Sequence, residues 1–447
     1  MGRYRGWVLI LLGAGLAAGG GLWKSAVADR EARFLRERLA VAEGENARLR
    51  KLVGESEARR TMEEDLPRRA EIEAITAGVR ELKFLSPVTY EILDRARVPE
   101  VVREKLAQHY QPEDFRRMSA AYAALGLLPE GYDLEKGIIG LLGEQMAAFY
   151  DQHADRLFLL GGTRLDRSND RMILSHELTH ALQDQHFKLE TFPLQDKEND
   201  DLVMALGALI EGDATVVMSR FLLEDSAPPR AGELVSALLS QDLAQLAAAP
   251  RFLRESLLFP YVQGQKFCDT LVAHGGMEGV TRAFRDPPRS SAEILDPSRY
   301  LAPALRPRRV FAPELKAPAG VELVATNVAG RFGIECMFDE WLAGKDGDAA
   351  GWDADRYWVY KVSAGGQLIA WRSRWRTPEA AAQFEASLLQ IREAMDARRG
   401  GRPPGVGRTL ERRENEVLLV EGIEALLPAL GAALDSVAVS AIPPAAP

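Results

Sequence analysis

Residues 174–183 read Leu174-Ser175-His176-Glu177-Leu178-Thr179-His180-Ala181-Leu182-Gln183, and this stretch decides what kind of fold to expect. Leu174, Leu178, Ala181 and Leu182 recur at helical spacing and form an apolar stripe. Four residues of helix turn about 400°, so His176 and His180 lie one turn apart and about 40° from each other on one face. Two imidazoles so placed reach one tetrahedral zinc ion. Glu177 is about 100° round from His176. It is too far round to share the ion, but it flanks the open coordination position, where a carboxylate accepts a proton from water. The chain has six histidines, and three of them fall between His176 and His186. The plain alternative is a helix whose two histidines are satisfied by hydrogen bonds.

A catalytic zinc takes three protein ligands and keeps a fourth position open. Two residues compete for the third place. His186 lies ten residues beyond His176, the offset used by metzincins, in which a glycine three residues after the second histidine breaks the helix. That position is Gln183 here, so the helix is expected to continue, leaving His186 about 120° from His180 and off the metal face. Glu211 lies in Ala208-Leu209-Ile210-Glu211-Gly212-Asp213-Ala214, a carboxylate in an otherwise apolar helical segment. An unpaired buried charge there is costly and a metal offsets that cost. The expected centre is one zinc ion per chain on His176, His180 and Glu211; a helix-surface glutamate is the other reading of Glu211.

This set resembles the gluzincin metallopeptidases, whose ligands are HExxH and a glutamate on a following helix. The likeness covers about residues 140–215. It extends more loosely to about 300, through Phe259-Pro260-Tyr261-Val262-Gln263-Gly264 and Pro287-Pro288-Arg289-Ser290-Ser291. Those segments, with Gly143-Glu144-Gln145 leading into Phe149-Tyr150-Asp151, look like an uncharacterised bacterial branch of such proteins. The resemblance implies a zincin-like domain that hydrolyses peptide bonds by metal-activated water, with Glu177 as general base. It also implies that an edge strand, in 146–151 or 156–161, pairs with an extended peptide substrate; an ordinary structural hairpin is the competing reading. Thermolysin-like members carry an Asp four residues after the glutamate. Here that position is Thr215, and Asp213 is expected to face away. The carboxylate that orients a ligand histidine is therefore unassigned, with Asp184, one turn after His180, as a candidate. An oxyanion needs a donor; Tyr261, Tyr300 and His274 are available, and each also reads as structural.

The remaining 447-residue chain frames this motif. With 47% hydrophobic and 27% charged residues it is not a wholly disordered protein, and a net charge of −9 argues against general nucleic-acid binding. Two cysteines, Cys268 and Cys336, exclude a disulfide scaffold or a cysteine-based zinc site, though the pair could bond in an oxidising compartment. No phosphate loop or nucleophile elbow is present. Arg3 and Arg5 precede an uncharged run over 7–23, bracketed by Trp7 and Trp23. As a helix that run spans about 26 Å, at the short end for a membrane anchor. Ala26-Val27-Ala28 also fits a cleaved signal. These two readings of residues 1–27 export the rest of the chain, anchored at the membrane or secreted; a buried soluble helix is the third reading. Leu35, Leu39, Ala42, Asn46, Leu49 and Val53 keep a 4-3-4-3-4 spacing. Residues 28–62 thus form a helical stalk, either solvated or paired as a homodimeric coiled coil through 28–60.

The expected class is α+β, mainly helical. Residues 63–310 form the zincin-like domain, with a strand near 88–92, a hairpin over 149–160, and helices from about 168 and over about 202–223. A proline-rich wrap covers 286–320. Residues 321–441 form a small α+β domain: helix near 333–342, strands near 357–362 and 368–375, helix 378–395, a Gly/Pro-rich loop 400–407, strand 417–420 and helix 423–434. Residues 351–357 with Trp371 and Trp375 are either a peptide-binding face or the aromatic core of that sheet. Two rivals stand beside the peptidase: an envelope binding or scaffold protein with a structural or vestigial zinc site, and a zinc hydrolase of a non-peptide amide.

Overall fold

Helix starts and stops follow local chemistry through most of the chain. The computed structural model describes residues 65–145, 148–225, 246, 248–307, 309–342, 348–363 and 365–441. The expected anchor 1–27 and stalk 28–62 lie outside the described residues. Helix α1 (Leu66–Arg80) begins with Pro67 in its first turn, where a missing N–H costs nothing. Strand β1 (Thr89–Leu93) and α2 (Val98–Ala107) come next. Helix α3 (Pro112–Leu125) opens on a reciprocal cap between Gln111 and Asp114 and closes on Gly126 at φ 84°, the left-handed conformation that glycine takes freely. Helix α4 (Leu134–Gln145) leads to β2 (Ala148–Asp151) and β3 (Arg156–Leu160).

The expected hairpin is two-thirds of a mixed sheet. β2 and β3 pair antiparallel, and β1 adds parallel to the far side of β3, giving the order β1-β3-β2. β2 is left as an edge strand. Helix α5 (Ser168–Phe187) runs through Gln183 without a break. Helix α6 (Asp200–Glu224) starts at Asn199, whose side chain accepts from the Leu202 N–H. α6 is the only described helix long and apolar enough to cross a membrane. Its central residues, 205–217, are all buried between neighbouring helices. Helix α7 (Arg251–Arg285) packs along it and bends at Gly275 and Gly276.

Residues 286–320, read as an extended wrap, hold two short helices, α8 (Ser291–Leu295) and α9 (Pro297–Leu301), and β4 (Arg309–Phe311). Beyond them lies a five-stranded antiparallel sheet of β5 (Val321–Asn327), β6 (Trp352–Val362), β7 (Gln367–Trp375), β8 (Val406–Arg413) and β9 (Glu416–Ile423), in the order β5-β6-β7-β9-β8. Helices α10 (Gly330–Trp341), α11 (Pro378–Arg398) and α12 (Leu427–Asp435) accompany it, and β10 (Val439–Ala441) pairs with β4. Strand β8 takes the end of the expected loop, and β9 extends into the expected last helix.

Alternation places Tyr357, Val359, Ile369, Trp371, Val417 and Leu419 in one core and Trp358, Tyr360, Leu368, Ala370, Leu418 and Val420 in another. Both faces of the sheet are therefore covered. The first of these cores also takes residues from α2, α3 and α4, so it runs across the proline-rich stretch. Arg392 donates to the Ala124 carbonyl at 2.6 Å and Trp341 to the Gly126 carbonyl at 2.7 Å. Trp352 and Trp371 turn their indole N–H groups onto Asp355, which also accepts from the Ala329 and Gly330 N–H groups at the start of α10. These aromatics are buried, so of the two readings it is the aromatic core of the sheet that holds, not the peptide-binding face. Whether Cys268 and Cys336 pair was open in the sequence; both are buried free thiols, Cys268 packing between α6 and α7 and Cys336 in the core under the sheet.

Candidate metal centre

α5 contributes His176, Glu177 and His180, and its apolar stripe (Leu174, Leu178, Ala181, Leu182) is wholly buried. α6 crosses it and brings in Glu211. The three expected ligands converge. His176 Nε2 lies 3.1 Å from Glu211 Oε2 and 3.1 Å from His180 Nε2, and His180 Nε2 lies 3.6 Å from the same carboxylate oxygen. All three side chains are buried, with one ligand atom each inside a 4.8 Å span. Glu211 Oε1 is buried with no hydrogen-bond partner. Burial raises the Glu211 pKa, but the facing imidazoles override this and hold it down at about 2. Burial likewise depresses His180, and the Glu211 carboxylate lifts it back up to about 9.

Glu177 faces the same space from the side. Its Oε2 accepts from the Tyr150 backbone N–H of β2 at 2.9 Å. This contact ties the edge strand to the helix. Burial raises the Glu177 pKa, Glu211 adds to the rise, and the two histidines and the Tyr150 N–H oppose it.

His186 is off this face: its Nε2 meets the Lys83 carbonyl at 2.8 Å. Asp184 accepts from the Tyr150 hydroxyl and the Leu189 N–H, both at 3.1 Å, and so does not touch a ligand histidine. Of the three oxyanion candidates, only Tyr261 is at the centre. Its ring stacks on His176, with centroids 6.1 Å apart. Burial and the nearby charges of Glu211 and Glu177 push its hydroxyl pKa well up. Tyr300 instead donates to the Asp286 carbonyl, and His274 bonds the Thr270 carbonyl on its own helix.

Sequence reasoning left the histidine's outer partner unassigned. It is Gln183, whose Oε1 lies 2.9 Å from His180 Nδ1. Asp213, expected to face away, does turn from the ligand atoms, but its Oδ2 holds Gln183 Nε2 at 2.9 Å and Arg80 Nε at 2.9 Å. The i, i+3 spacing of His180 and Gln183 was a usable signal. Nothing in the sequence points to Arg80, 133 residues before Asp213.

Gly212 explains how Tyr261 gets there. A Cβ on Gly212 would meet the backbone of Gly264 at 2.2 Å, and one on Gly264 would meet the Ala208 carbonyl at 2.1 Å. The two glycines let α7 lie against α6, and Tyr261 is three residues before Gly264 on the same helix.

Residues 320–430, covering all five strands of the sheet, match a family described as a domain of unknown function, DUF8575. His176, Glu177, His180 and Glu211 lie outside the match. No curated protein and no solved structure matches the chain.

Proposed function

We propose that the chain is a zinc-dependent metallopeptidase of zincin-like fold, with His176, His180 and Glu211 holding one ion and Glu177 as general base. The observation that carries the reading is the spacing of the three ligand atoms, 3.1 to 3.6 Å. Two zinc bonds of about 2.0–2.1 Å at the tetrahedral angle separate their ligand atoms by about 3.3 Å. The unpartnered Glu211 Oε1 adds support, since a buried carboxylate oxygen without a donor is costly. Zinc bound there would supply Lewis acidity toward a scissile carbonyl and acidify water.

The chain's own groups do the rest. Glu177 is fixed through Oε2, which leaves Oε1 to accept the proton of the attacking water. Its raised pKa suits a base that must then hand that proton to the leaving amine. Tyr261, stacked on His176 and with its hydroxyl near Glu211, offers a donor for the developing oxyanion. The edge strand β2 lies beside Glu177; its residues are buried and its Tyr150 N–H is held by Glu177, so an extended peptide could add to the sheet only by displacing that contact. The uncharged run after Arg3 and Arg5 supports export, with residues 1–27 as membrane anchor or cleaved signal.

Full-length protein should carry about one zinc per chain by metal analysis and cleave members of a denatured peptide library. Glu177→Gln should keep the metal and lose cleavage. A Glu177→Gln variant that still cleaves overturns the assignment of the base. A wild type that binds zinc but cleaves no peptide favours the scaffold protein or the hydrolase of another amide.

A further inference from the structure

We propose that Gln183 is a positioning residue that keeps the hydrogen on His180 Nδ1, and that Asp213 and Arg80 hold it in that role. The argument is one of donors and acceptors. Gln183 is fully buried. One end of its amide lies 3.0 Å from the Ile210 carbonyl and 2.9 Å from Asp213 Oδ2. Both of those atoms only accept, so this end must be the NH2. Turning the amide over would set its oxygen against two acceptors with no hydrogen between them, which fixes an orientation that amide shape alone leaves open. The other end, Oε1, then only accepts, and it faces His180 Nδ1 at 2.9 Å. Nδ1 therefore carries a hydrogen, and Nε2 is the nitrogen aimed at His176 and Glu211.

The amide is itself held from behind. Asp213 Oδ2 accepts from Arg80 Nε at 2.9 Å, and Arg80 Nη1 donates to Thr281 Oγ1 at 3.0 Å. Both charged side chains are wholly buried. The relay joins α1, α7, α6 and α5. A neutral amide also does what a carboxylate in its place would not: it orients the ring without adding a third negative charge beside Glu177 and Glu211.

The proposal deepens the metal reading, but its first readout does not depend on a metal. In full-length protein with 15N-labelled histidine, His180 should show an exchange-protected Nδ1–H signal with or without zinc. Gln183→Met should lose that signal and weaken zinc binding about 10–100-fold in chelator competition. Gln183→Glu should also weaken it, because the introduced carboxylate meets Asp213. Gln183→Glu with Asp213→Asn should recover part of that loss: the new carboxylate accepts from Nδ1–H and from the new amide, whose oxygen accepts from Arg80, while the Ile210 carbonyl, 3.0 Å from the native amide nitrogen, is left without its donor. A side chain that only fills space predicts a double variant at least as poor as either single one. A bare Nδ1 in the wild type, an unchanged signal in Gln183→Met, or a double variant no better than Gln183→Glu would overturn the proposal. If the wild type takes up no zinc, the metal reading falls, and the Nδ1–H signal still decides this one.

Discussion

Gly212→Ala tests the link between the α6–α7 crossing and the site. The added Cβ would fall 2.2, 2.3 and 2.7 Å from the carbonyl carbon, oxygen and Cα of Gly264. Ordinary carbon contacts need about 3.5 Å or more, so the two backbones must part by about 1 Å. No flexible side-chain end is available to move aside; the neighbour is main chain in the middle of a long helix. Overpacking of this kind costs about 1–3 kcal/mol, and rigid backbone on both sides argues for the upper end. Tyr261, one turn before Gly264, moves with the helix and leaves its stack on His176. Urea unfolding should therefore show a loss of about 3 kcal/mol, with peptide cleavage reduced beyond what the unfolded fraction explains. Gly431→Ala is the control: nothing lies within 4 Å of its Cβ and it sits in the interior of α12, so it should gain up to about 1 kcal/mol from helix propensity. A Gly212→Ala protein as stable as the Gly431→Ala one would refute the account of the crossing.

Arg80→Met should destabilise by about 3–5 kcal/mol in the same assay, because it leaves the Asp213 charge buried and unpaired; adding Asp213→Leu should recover much of that loss, and failure to recover would argue against a charge effect. In the sheet, burial works to raise the Glu421 pKa, but a bidentate contact from Arg392 and a bond from Arg408 hold it down at about 2, against an ordinary 4.5. A depressed carboxylate contributes its full stability above its unfolded pKa and loses it as pH falls toward the folded value. Between pH 4.5 and 2 the loss should be about 3 kcal/mol, and Glu421→Gln should flatten that part of the acid-unfolding profile. An unchanged acid limb would show that the two arginines do not carry it.

The helices of the site were legible because their apolar stretches are long: α5 starts at Ser168 as expected, and α6 starts two residues before the expected 202, capped by Asn199. His176, His180 and Glu211 could be named together because helical spacing makes i and i+4 neighbours and because a carboxylate in an apolar helix needs a reason. Other features could not be read that way. β1 joins β3 in parallel across 67 residues, a pairing that no local pattern encodes. The start of β8 was hidden by Gly405 and Pro404, since turn residues mask the first strand position after them. The aromatics around Trp352 and Trp371 fit a core or a surface in the sequence, and Asp355 taking both indole hydrogens shows how the core accommodates them. Tyr261 could not be separated from Tyr300 and His274, because only the Gly212–Gly264 approach selects it.

Three consecutive residues on α6 show why its central stretch, 205–217, is buried on every side. Successive side chains on a helix point about 100° apart. Glu211 faces the two histidines, Gly212 receives the backbone of α7, and Asp213 takes Gln183 and Arg80. Each direction serves a different neighbour, so residues 205–217 have no face left for water, while Ser219 and Leu223 near the end of α6 are exposed. The three directions are also locked to one another. A single residue inserted before Glu211 would rotate all of them by about 100°. It would carry the carboxylate off the imidazoles, put a Cβ into the α7 crossing and unseat the support behind His180 together. Replacing Glu211 alone leaves the crossing and the relay in place. Such a variant separates loss of the ligand from loss of the fold, and that makes Glu211 the residue on which the metal reading is most cleanly tested.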